Sequence, residues 1–454
     1  MKSRLCAAAG AAVMMVALAG ASADADGGGP SLVDSAPCEG ISGFTCAWLT
    51  VPLDRSGRVG GTLRLQVGLE TEAKAPKGTL LVLSGGPGQP GVSLIPRISQ
   101  RLSFLMADYR LIMIDQRGTG AGAIDCPRMQ AEAGLSDIRP PSAEAIAECA
   151  QQLGVTRNFY TSSDTVADLD DLRKALGLKR WTLDGVSYGA FVATQYGLTH
   201  PQRVEKLVLD SVVPKDGVPT LYADSLHHVA WMMRAACGEQ SCGFDPAADL
   251  EKLLAVEDIG VDFFDFVVIA SIVDPKLTGT TFWPVLDFLH LAANGATGPL
   301  KEAITELHSG APAPADYSAG LHIATICADL PDAPWGDSSA PPDGRDALLA
   351  KAVNRLDALY VWPFPRKTAG EQAVAAACRQ WPPSRPDPAP HHKKLMMPVL
   401  ILNGDRDLST PVKWARDLAL SAPRVQLVVI AGMGHSTQGR HPEADAAVRA
   451  FLLG

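Results

Sequence analysis

Short segments with nearly continuous apolar residues recur along the chain at intervals that helices can fill. The segments at 79–83 and 110–114 lack polar alternation, which is typical of strands buried on both faces of a sheet. Short apolar runs in comparable settings predict further strands at 181–183, 206–210, 398–402 and 425–430. By contrast, apolar and polar residues alternate at 63–69, which predicts an antiparallel strand at an edge of the sheet.

Helical periodicity separates these predicted strands. In 166–176 apolar residues recur three or four positions apart, Asp164 and Thr165 can cap that helix, and Gly177 can end it. The segment 190–198, after the strand at 181–183, can also continue as a helix. Alternating strands and helices predict an α/β fold with a mostly parallel central sheet covered by helices on both sides.

The pattern changes in the region 214–390. Helical segments such as 262–273 and 348–359 are separated by proline-rich stretches at 311–314, 331–343 and 382–390. We interpret 214–390 as an inserted, mainly helical cap on a core formed by 24–213 and 391–454. Such a cap would narrow access to a site at the carboxyl edge of the sheet.

The first 23 residues predict a secretory signal peptide. Lys2 and Arg4 precede an apolar stretch at 5–18, and Ala-Ser-Ala at 21–23 is a plausible cleavage signal. No later stretch is apolar for long enough to predict a membrane span. We therefore expect a protein exported to the periplasm or beyond, without stable insertion in a membrane.

The cysteine count agrees with export. Removing Cys6 with the signal leaves eight of the nine cysteines, an even number that suits disulfides in an oxidising compartment. Many connectivities are possible. Proximity along the chain suggests Cys38 with Cys46, Cys126 with Cys149 and Cys237 with Cys242, which leaves Cys327 for Cys378. Neither a Cys-x-x-Cys pair nor a His-Glu-x-x-His motif is present, so we expect no metal and no cofactor.

The charge balance narrows the classes of partner. The formal net charge is −9, and the sequence pI is about 5.6. A general nucleic-acid binder would need clustered Lys and Arg to neutralise phosphates, so this class is disfavoured. The oligomeric state cannot be inferred from these features.

One motif points to chemistry. Gly185-Val186-Ser187-Tyr188-Gly189 lies between the strand at 181–183 and the helical segment at 190–198. Small flanking residues allow a sharp turn that exposes the serine Oγ at the start of a helix, which is the geometry of a nucleophile elbow. An ordinary strand-to-helix turn is the alternative. The choice depends on whether partner residues follow.

An acid and a histidine follow two later predicted strands. Asp405 and Asp407 come after the strand at 398–402, and His435 comes after the strand at 425–430, in a run of small residues. We select Asp407 as the acid because it lies deeper in its loop, and we expect Asp405 to hold the turn. With His435 as the base, the order Ser187, Asp407, His435 is that of an α/β-hydrolase triad.

A serine hydrolase also needs donors for the oxyanion. The backbone N–H of Tyr188 follows the nucleophile directly, and Ser84-Gly85-Gly86-Pro87-Gly88 follows the strand at 79–83. We favour Gly86 as the second donor. The alternative is a plain Gly-Pro turn.

Five motifs together resemble the prolyl- and tripeptidyl-aminopeptidase group of α/β-hydrolases: 84–88, Asp-Gln-Arg-Gly-Thr-Gly at 115–120, 185–189, 405–411, and Gly434-His435. The segments 38–54 and the region of Cys327 and 378–382 are more similar to the secreted tripeptidyl type. The resemblance implies an α/β-hydrolase fold and a serine exopeptidase that acts near free N-termini. Ser84 stands where relatives usually have His or Pro, and Ala190 where a second glycine is common.

An aminopeptidase needs a carboxylate for the substrate ammonium, because an unpaired buried charge is costly. Asp329 is our candidate, with a solvated loop acid as the alternative. A secreted carboxylic-ester hydrolase remains the second hypothesis, since the same triad serves esters. A noncatalytic binding protein on this scaffold is the third.

Overall fold

The structure is a computed structural model that describes residues 29–71, 74–134, 136–388 and 392–454. The predicted signal peptide lies outside these ranges. The described strands form one nine-stranded sheet in the order β1-β2-β3-β5-β4-β6-β7-β8-β9. The strands are β1 (Leu32–Pro37), β2 (Phe44–Pro52), β3 (Thr62–Glu70), β4 (Gly78–Leu83), β5 (Tyr109–Ile114), β6 (Trp181–Val186), β7 (Val204–Asp210), β8 (Val399–Gly404) and β9 (Val425–Ile430).

The helices either flank this sheet or follow β7 as an insertion. Those before β7 are α1 (Ile95–Arg101), α2 (Pro127–Ala133), α3 (Ala143–Leu153), α4 (Ser162–Ala175) and α5 (Tyr188–Thr199). The insertion contains α6 (Ala223–Gln240), α7 (Pro246–Leu254), α8 (Gly260–Val273), α9 (Val285–Ala293), α10 (Gly298–Leu307), α11 (Ala319–Ala328), α12 (Arg345–Arg355), α13 (Ala358–Val361), α14 (Lys367–Glu371) and α15 (Ala373–Gln380). The last two are α16 (Val412–Ala419) and α17 (Pro442–Leu453).

The parallel part of the sheet confirms the predicted fold class. Strands β5, β4, β6, β7, β8 and β9 pair in parallel, so their carboxyl ends lie along one edge. The prediction of an edge strand at 63–69 is wrong, because β3 pairs with β2 on one side and β5 on the other. The alternation in β3 arises because one face of the strand is better buried than the other, and not because a neighbouring strand is missing. The edge of the sheet on this side is β1, which we did not predict.

The core lies on both faces of the sheet. Alternate residues of each central strand point to opposite faces, so Leu81 and Leu83 join one apolar cluster while Leu80 and Val82 join the other. Helix α5 packs on the first face, and α17 packs on the second. Each large apolar side chain buried in this way contributes roughly 1.5–3 kcal/mol, so the strands that end at the site are held rigidly.

Two helix predictions need correction. Helix α4 begins at Ser162 with Thr161 as its N-cap, and Asp164 completes the capping box from the third position rather than capping the helix itself. The single helix predicted at 348–359 is wrong. The chain becomes extended at Leu356, so α12 ends there, and Asp357 then caps α13.

The insertion between β7 and β8 is mainly helical, as the cap prediction required. Its bounds at 214 and 390 remain our proposed limits. Within it, the C-terminal part of α11 is joined to α15 by the Cys327–Cys378 disulfide.

All four predicted cysteine pairs are present as disulfides: Cys38–Cys46, Cys126–Cys149, Cys237–Cys242 and Cys327–Cys378. Each closes a loop or joins two helices and so restricts the unfolded chain. In the part of the chain that the structure describes, no helix combines the length and apolar character needed to cross a membrane.

Candidate active site

Ser187 occupies a strained turn between β6 and α5. Its φ of 59° and ψ of −125° are unfavourable for a residue with a Cβ, and its N–H donates to the Asp210 carbonyl at 3.0 Å. A Cβ on Gly185 would lie 2.3 Å from the Gly189 carbonyl oxygen, and one on Gly189 would lie 2.2 Å from the Leu83 carbonyl oxygen. The two glycines therefore permit the sharp turn that the motif predicts.

Asp407 and His435 lie in contact at the carboxyl ends of β8 and β9. The Nδ1 atom of His435 lies 2.9 Å from Oδ2 and 3.1 Å from Oδ1 of Asp407. Thr410 holds the same carboxylate, donating its backbone N–H at 2.8 Å and its Oγ1–H at 2.7 Å. This arrangement fixes the imidazole with Nδ1 toward the acid, which leaves Nε2 free to act on another group.

The two partners shift each other's pKa. Burial alone would lower the pKa of His435, but the charge of Asp407 and its hydrogen bond, with smaller effects of Asp210 and Asp137, raise it above the usual value. Burial alone would raise the pKa of Asp407, but His435 and the two Thr410 bonds hold it below the usual value. The carboxylate of Asp407 is thus kept ionised beside an imidazole that is easier to protonate.

The neighbouring acid has a different position. Asp405 Oδ1 accepts the Gly432 N–H at 2.7 Å, which ties the loop after β8 to the turn after β9. Of the two candidates that we weighed, the structure brings Asp407 to His435 and uses Asp405 in the turn.

The glycine loop after β4 lies directly against the nucleophile. A Cβ on Gly85 would lie 3.0 Å from the Cβ and 3.4 Å from the Oγ of Ser187. Gly86 has a φ of 109°, which suits only glycine, and Tyr188 is the first residue of α5. Among the described residues, neither Gly86 nor Tyr188 donates its N–H to a backbone carbonyl, so both N–H groups remain available at the recess that Ser187 also lines.

Residues that our sequence analysis gave no individual role hold this loop. Asp115 Oδ1 accepts the N–H groups of Gly91 and Val92 at 2.8 Å each, and Gln116 Nε2 donates to the Ser84 carbonyl at 3.3 Å. From the cap, the Ser318 N–H donates to the Gly88 carbonyl at 3.0 Å. The motif at 115–120 was the sequence signal that could have pointed to Asp115 and Gln116. The groups that they contact could not be read from it, because those contacts form only in the tertiary structure.

Ser187 and His435 line one cavity of about 360 Å³. Its wall combines the glycine loop and α1 of the core with α8, α10 and Tyr317 of the cap. Asp137, from the loop after α2, lines this cavity and also a smaller recess that contains Gly86, Ser187 and Tyr188. The Tyr317 hydroxyl donates to Asp137 Oδ1 at 2.8 Å. The site is therefore a covered pocket with a carboxylate facing it.

Asp329, our candidate for binding the substrate amine, lies elsewhere. Its Oδ2 accepts the Tyr188 hydroxyl at 2.8 Å and its Oδ1 accepts the Ser162 N–H at 3.3 Å. It is not among the residues that line the cavity or the recess. Burial and the nearby charge of Asp387 raise the pKa of Asp329 well above its usual value.

Comparisons with known families agree with this architecture. The family described as "alpha/beta hydrolase fold" matches residues 78–241, and the family described as "TAP-like protein" matches 364–454. The first match contains Ser187 and the glycine loop, and the second contains Asp407 and His435.

Similar proteins span most of the chain. Tripeptidyl aminopeptidase of Streptomyces lividans is 27% identical over 424 residues, covering 82% of this chain and 74% of that protein. Serine protease Hip1 of Mycobacterium tuberculosis (strain ATCC 25618 / H37Rv) is 25% identical over 469 residues, covering 91% of this chain and 85% of that protein. A crystal structure of a hydrolase from Pseudomonas aeruginosa PA01 aligns with a TM-score of 0.40 and 15% identity, over 90% of this chain and 98% of that one.

The chain is an enzyme with the α/β-hydrolase fold, a serine hydrolase. Within that class it is of the peptidase type, and it resembles the tripeptidyl aminopeptidases and the serine protease Hip1.

Proposed function

We propose that this protein is an exported serine exopeptidase that releases short peptides or proline-adjacent residues from free N-termini, like tripeptidyl and prolyl aminopeptidases. The observation that carries the proposal is that His435, which contacts Asp407, lines the same covered cavity as Ser187. The relatives named above support the peptide substrate. The disulfides and the predicted signal support export.

In the proposed mechanism, Ser187 Oγ attacks the scissile carbonyl while His435 Nε2 accepts its proton. Asp407 holds the imidazole tautomer and stabilises the imidazolium that forms. His435 then gives the proton to the leaving amine, the C–N bond breaks, and an acyl-enzyme remains on Ser187. A water molecule, deprotonated by His435, hydrolyses that ester and restores the serine.

The negative charge that develops on the substrate oxygen would be bound by the N–H groups of Gly86 and Tyr188. Tyr188 directly follows Ser187, and Gly86 lines the same recess as Ser187. Neither N–H donates a backbone hydrogen bond among the described residues. Donors that are fixed before the reaction need no reorganisation, so each is worth roughly 3–4 kcal/mol of transition-state stabilisation.

Asp137 is our proposed partner for the substrate ammonium, in place of Asp329. Its side chain is 37% exposed and lies in both the cavity and the recess beside Ser187. The preceding residue anchors its loop, since Ser136 Oγ donates to Asp265 Oδ1 at 2.7 Å. A cap that encloses the site, with a fixed carboxylate inside, favours chain ends that carry an ammonium over internal segments.

We expect Asp137→Asn to reduce kcat/KM for an unblocked tripeptidyl p-nitroanilide about 10- to 100-fold, because a charge-assisted hydrogen bond to the ammonium is lost. The N-acetylated substrate, which lacks that charge, should be poor for both proteins. Glu132→Gln is the matched control, since Glu132 lines the same cavity but already accepts the N–H and hydroxyl of Ser142. Equal rates for blocked and unblocked peptides would contradict the aminopeptidase assignment. Rapid ester cleavage without peptide cleavage would select the ester hydrolase instead.

The pH profile should have a limb set by His435. Protonated His435 cannot accept the serine proton, so kcat/KM should increase with pH as His435 loses its proton. Because the pKa of His435 is raised, the midpoint of this limb should lie above about 6.5. For unblocked peptides kcat/KM should fall again near pH 8, where an α-ammonium of pKa about 7.7–8.0 loses its proton. A neutral ester should show the first limb only.

A second buried group could titrate in the same range and needs a control. Burial raises the pKa of Asp184 to about 7, its hydrogen bond from Gln438 opposes the shift, and the charge of Asp210 adds to it. Asp184→Asn reproduces the neutral form and can still pair with Gln438. If the limb disappears in this variant, Asp184 rather than His435 sets it.

A further inference from the structure

Three arginines on one side of the cavity have no role in the mechanism above. Arg97 and Arg101 lie one turn apart on α1, and Arg440 follows the His435 loop; all three line the cavity that contains Ser187. None of the salt bridges formed among the described residues involves them. We call these residues the arginine cluster.

Hydrogen bonds join the cluster to the loop that carries His435. Arg440 Nη1 donates to the His435 carbonyl at 2.7 Å, and its Nη2 donates to the Ile272 carbonyl of α8 at 2.9 Å. Arg101 Nη1 donates to Ser436 Oγ at 3.1 Å. These bonds satisfy a few of the donors with neutral oxygens and leave the positive charges without a bonded counter-ion.

The charges also act on one another. Burial, together with the charges of Arg97 and Arg440, lowers the pKa of Arg101, although Asp210 opposes the effect. Burial lowers the pKa of Arg440, and Arg97 adds to the effect while Asp210 and Asp407 oppose it. Positive charges that lie close together and are partly buried favour the binding of an anion.

The position of the cluster identifies which part of a substrate it faces. In acyl transfer the protonated base must deliver its proton to the leaving group, so the leaving group lies beside His435. Arg101 donates a hydrogen bond to the hydroxyl of Ser436, and Arg440 donates one to the backbone carbonyl of His435. The cluster therefore borders the leaving-group end of the cavity, while Asp137 and the glycine loop border the recess at Ser187.

We propose that Arg97, Arg101 and Arg440 bind the free C-terminal carboxylate of the leaving fragment, so that the preferred substrates are short peptides with both termini unblocked. This inference rests on the proposed peptidase function and extends it to the other end of the substrate. When the C–N bond breaks, the departing fragment takes the proton from His435 on its new amine and keeps its carboxylate on the guanidinium groups. Planar guanidinium groups suit a carboxylate because they can donate two parallel hydrogen bonds.

The test compares a free-amine pentapeptide of alanine that ends in a carboxylate with the same peptide ending in an amide. For the wild-type protein, kcat/KM for the acid should exceed that for the amide about tenfold, the effect of one charge-assisted contact. In Arg97→Gln/Arg101→Gln this ratio should fall toward one. Arg424→Gln, which removes one positive charge from an exposed side chain that lines none of these cavities, should keep the wild-type ratio.

A tripeptidyl p-nitroanilide, whose leaving group is neutral, separates this inference from the proposed function. If the p-nitroanilide is cleaved but the wild-type protein cleaves the acid and the amide equally, the carboxylate site is overturned and the peptidase function stands. If neither the peptides nor the p-nitroanilide are cleaved while esters are, both proposals are overturned. A wild-type preference that persists in the double variant overturns the assignment to the cluster.

Product inhibition gives a measurement that does not depend on a folded double variant. Free dialanine should inhibit wild-type hydrolysis of a neutral ester about tenfold more strongly than dialanine amide. The single variant Arg97→Gln, at an exposed position, should lessen this difference. Equal inhibition by the two dipeptides would overturn the proposal.

Discussion

Replacing Ser187 by alanine should reduce kcat on a tripeptidyl p-nitroanilide by roughly 10⁴- to 10⁶-fold, because no other group can form the acyl-enzyme. The residual rate would come from the oxyanion donors and substrate binding, which the substitution leaves in place. The same variant should lose labelling by a fluorophosphonate probe. Alanine has the same Cβ as serine and lacks only the Oγ, so it should fit this strained turn as serine does. The measurement is single-turnover kinetics together with intact-protein mass spectrometry after labelling.

Ser409→Ala is the control for this experiment. Ser409 lines the same cavity and recess as Ser187, so the change removes one hydroxyl from the same surroundings. It should keep fluorophosphonate labelling and most of the activity. Labelling that persists in Ser187→Ala would show that another nucleophile reacts, and would refute the proposed assignment.

Asp407→Asn should reduce kcat about 10³- to 10⁴-fold with little change in KM. An asparagine can turn its amide N–H toward His435 Nδ1, where the carboxylate now accepts at 2.9 Å. The imidazole would then carry its proton on Nε2 and could not accept the proton of Ser187. Loss of the buried charge would also lower the pKa of His435, since the Asp407 charge is the main effect that raises it. A pH titration of kcat/KM should therefore show a lower midpoint for the remaining activity.

Asp405→Asn makes the same charge change two residues away. Its amide oxygen can still accept the Gly432 N–H, so activity should fall by less than about tenfold. If Asp405→Asn were the more damaging of the two, the acid would be misassigned. Thermal unfolding of both variants distinguishes loss of the fold from loss of the tautomer.

Local sequence patterns were sufficient for much of this molecule. Apolar runs predicted the parallel strands because a strand covered on both faces needs an apolar residue at nearly every position. The motif around Ser187 predicted its own turn because only glycine fits beside the backbone of Gly189 and Leu83. Cysteines close along the chain predicted three of the disulfides, and the fourth followed from the remainder. For the strands and for the turn at Ser187, the information lies within a few residues.

The same local patterns failed where neighbours come from elsewhere. The alternation of β3 could not show that β2 and β5 cover both its edges. The periodicity of 348–359 did not show that the chain becomes extended at Leu356.

The sequence by itself therefore determined the fold class, the nucleophile elbow and the positions of the acid and histidine loops, since these depend on local apolar patterning and backbone space. Only the tertiary structure decided that Asp407 contacts His435 while Asp405 holds a turn. It alone placed Asp137 and the arginine cluster around Ser187, because these residues come from separate elements of the core that are distant in the sequence and meet only in the folded protein. No local sequence pattern reveals the role of these charged residues, because that role depends on the charges and apolar side chains that folding brings beside them.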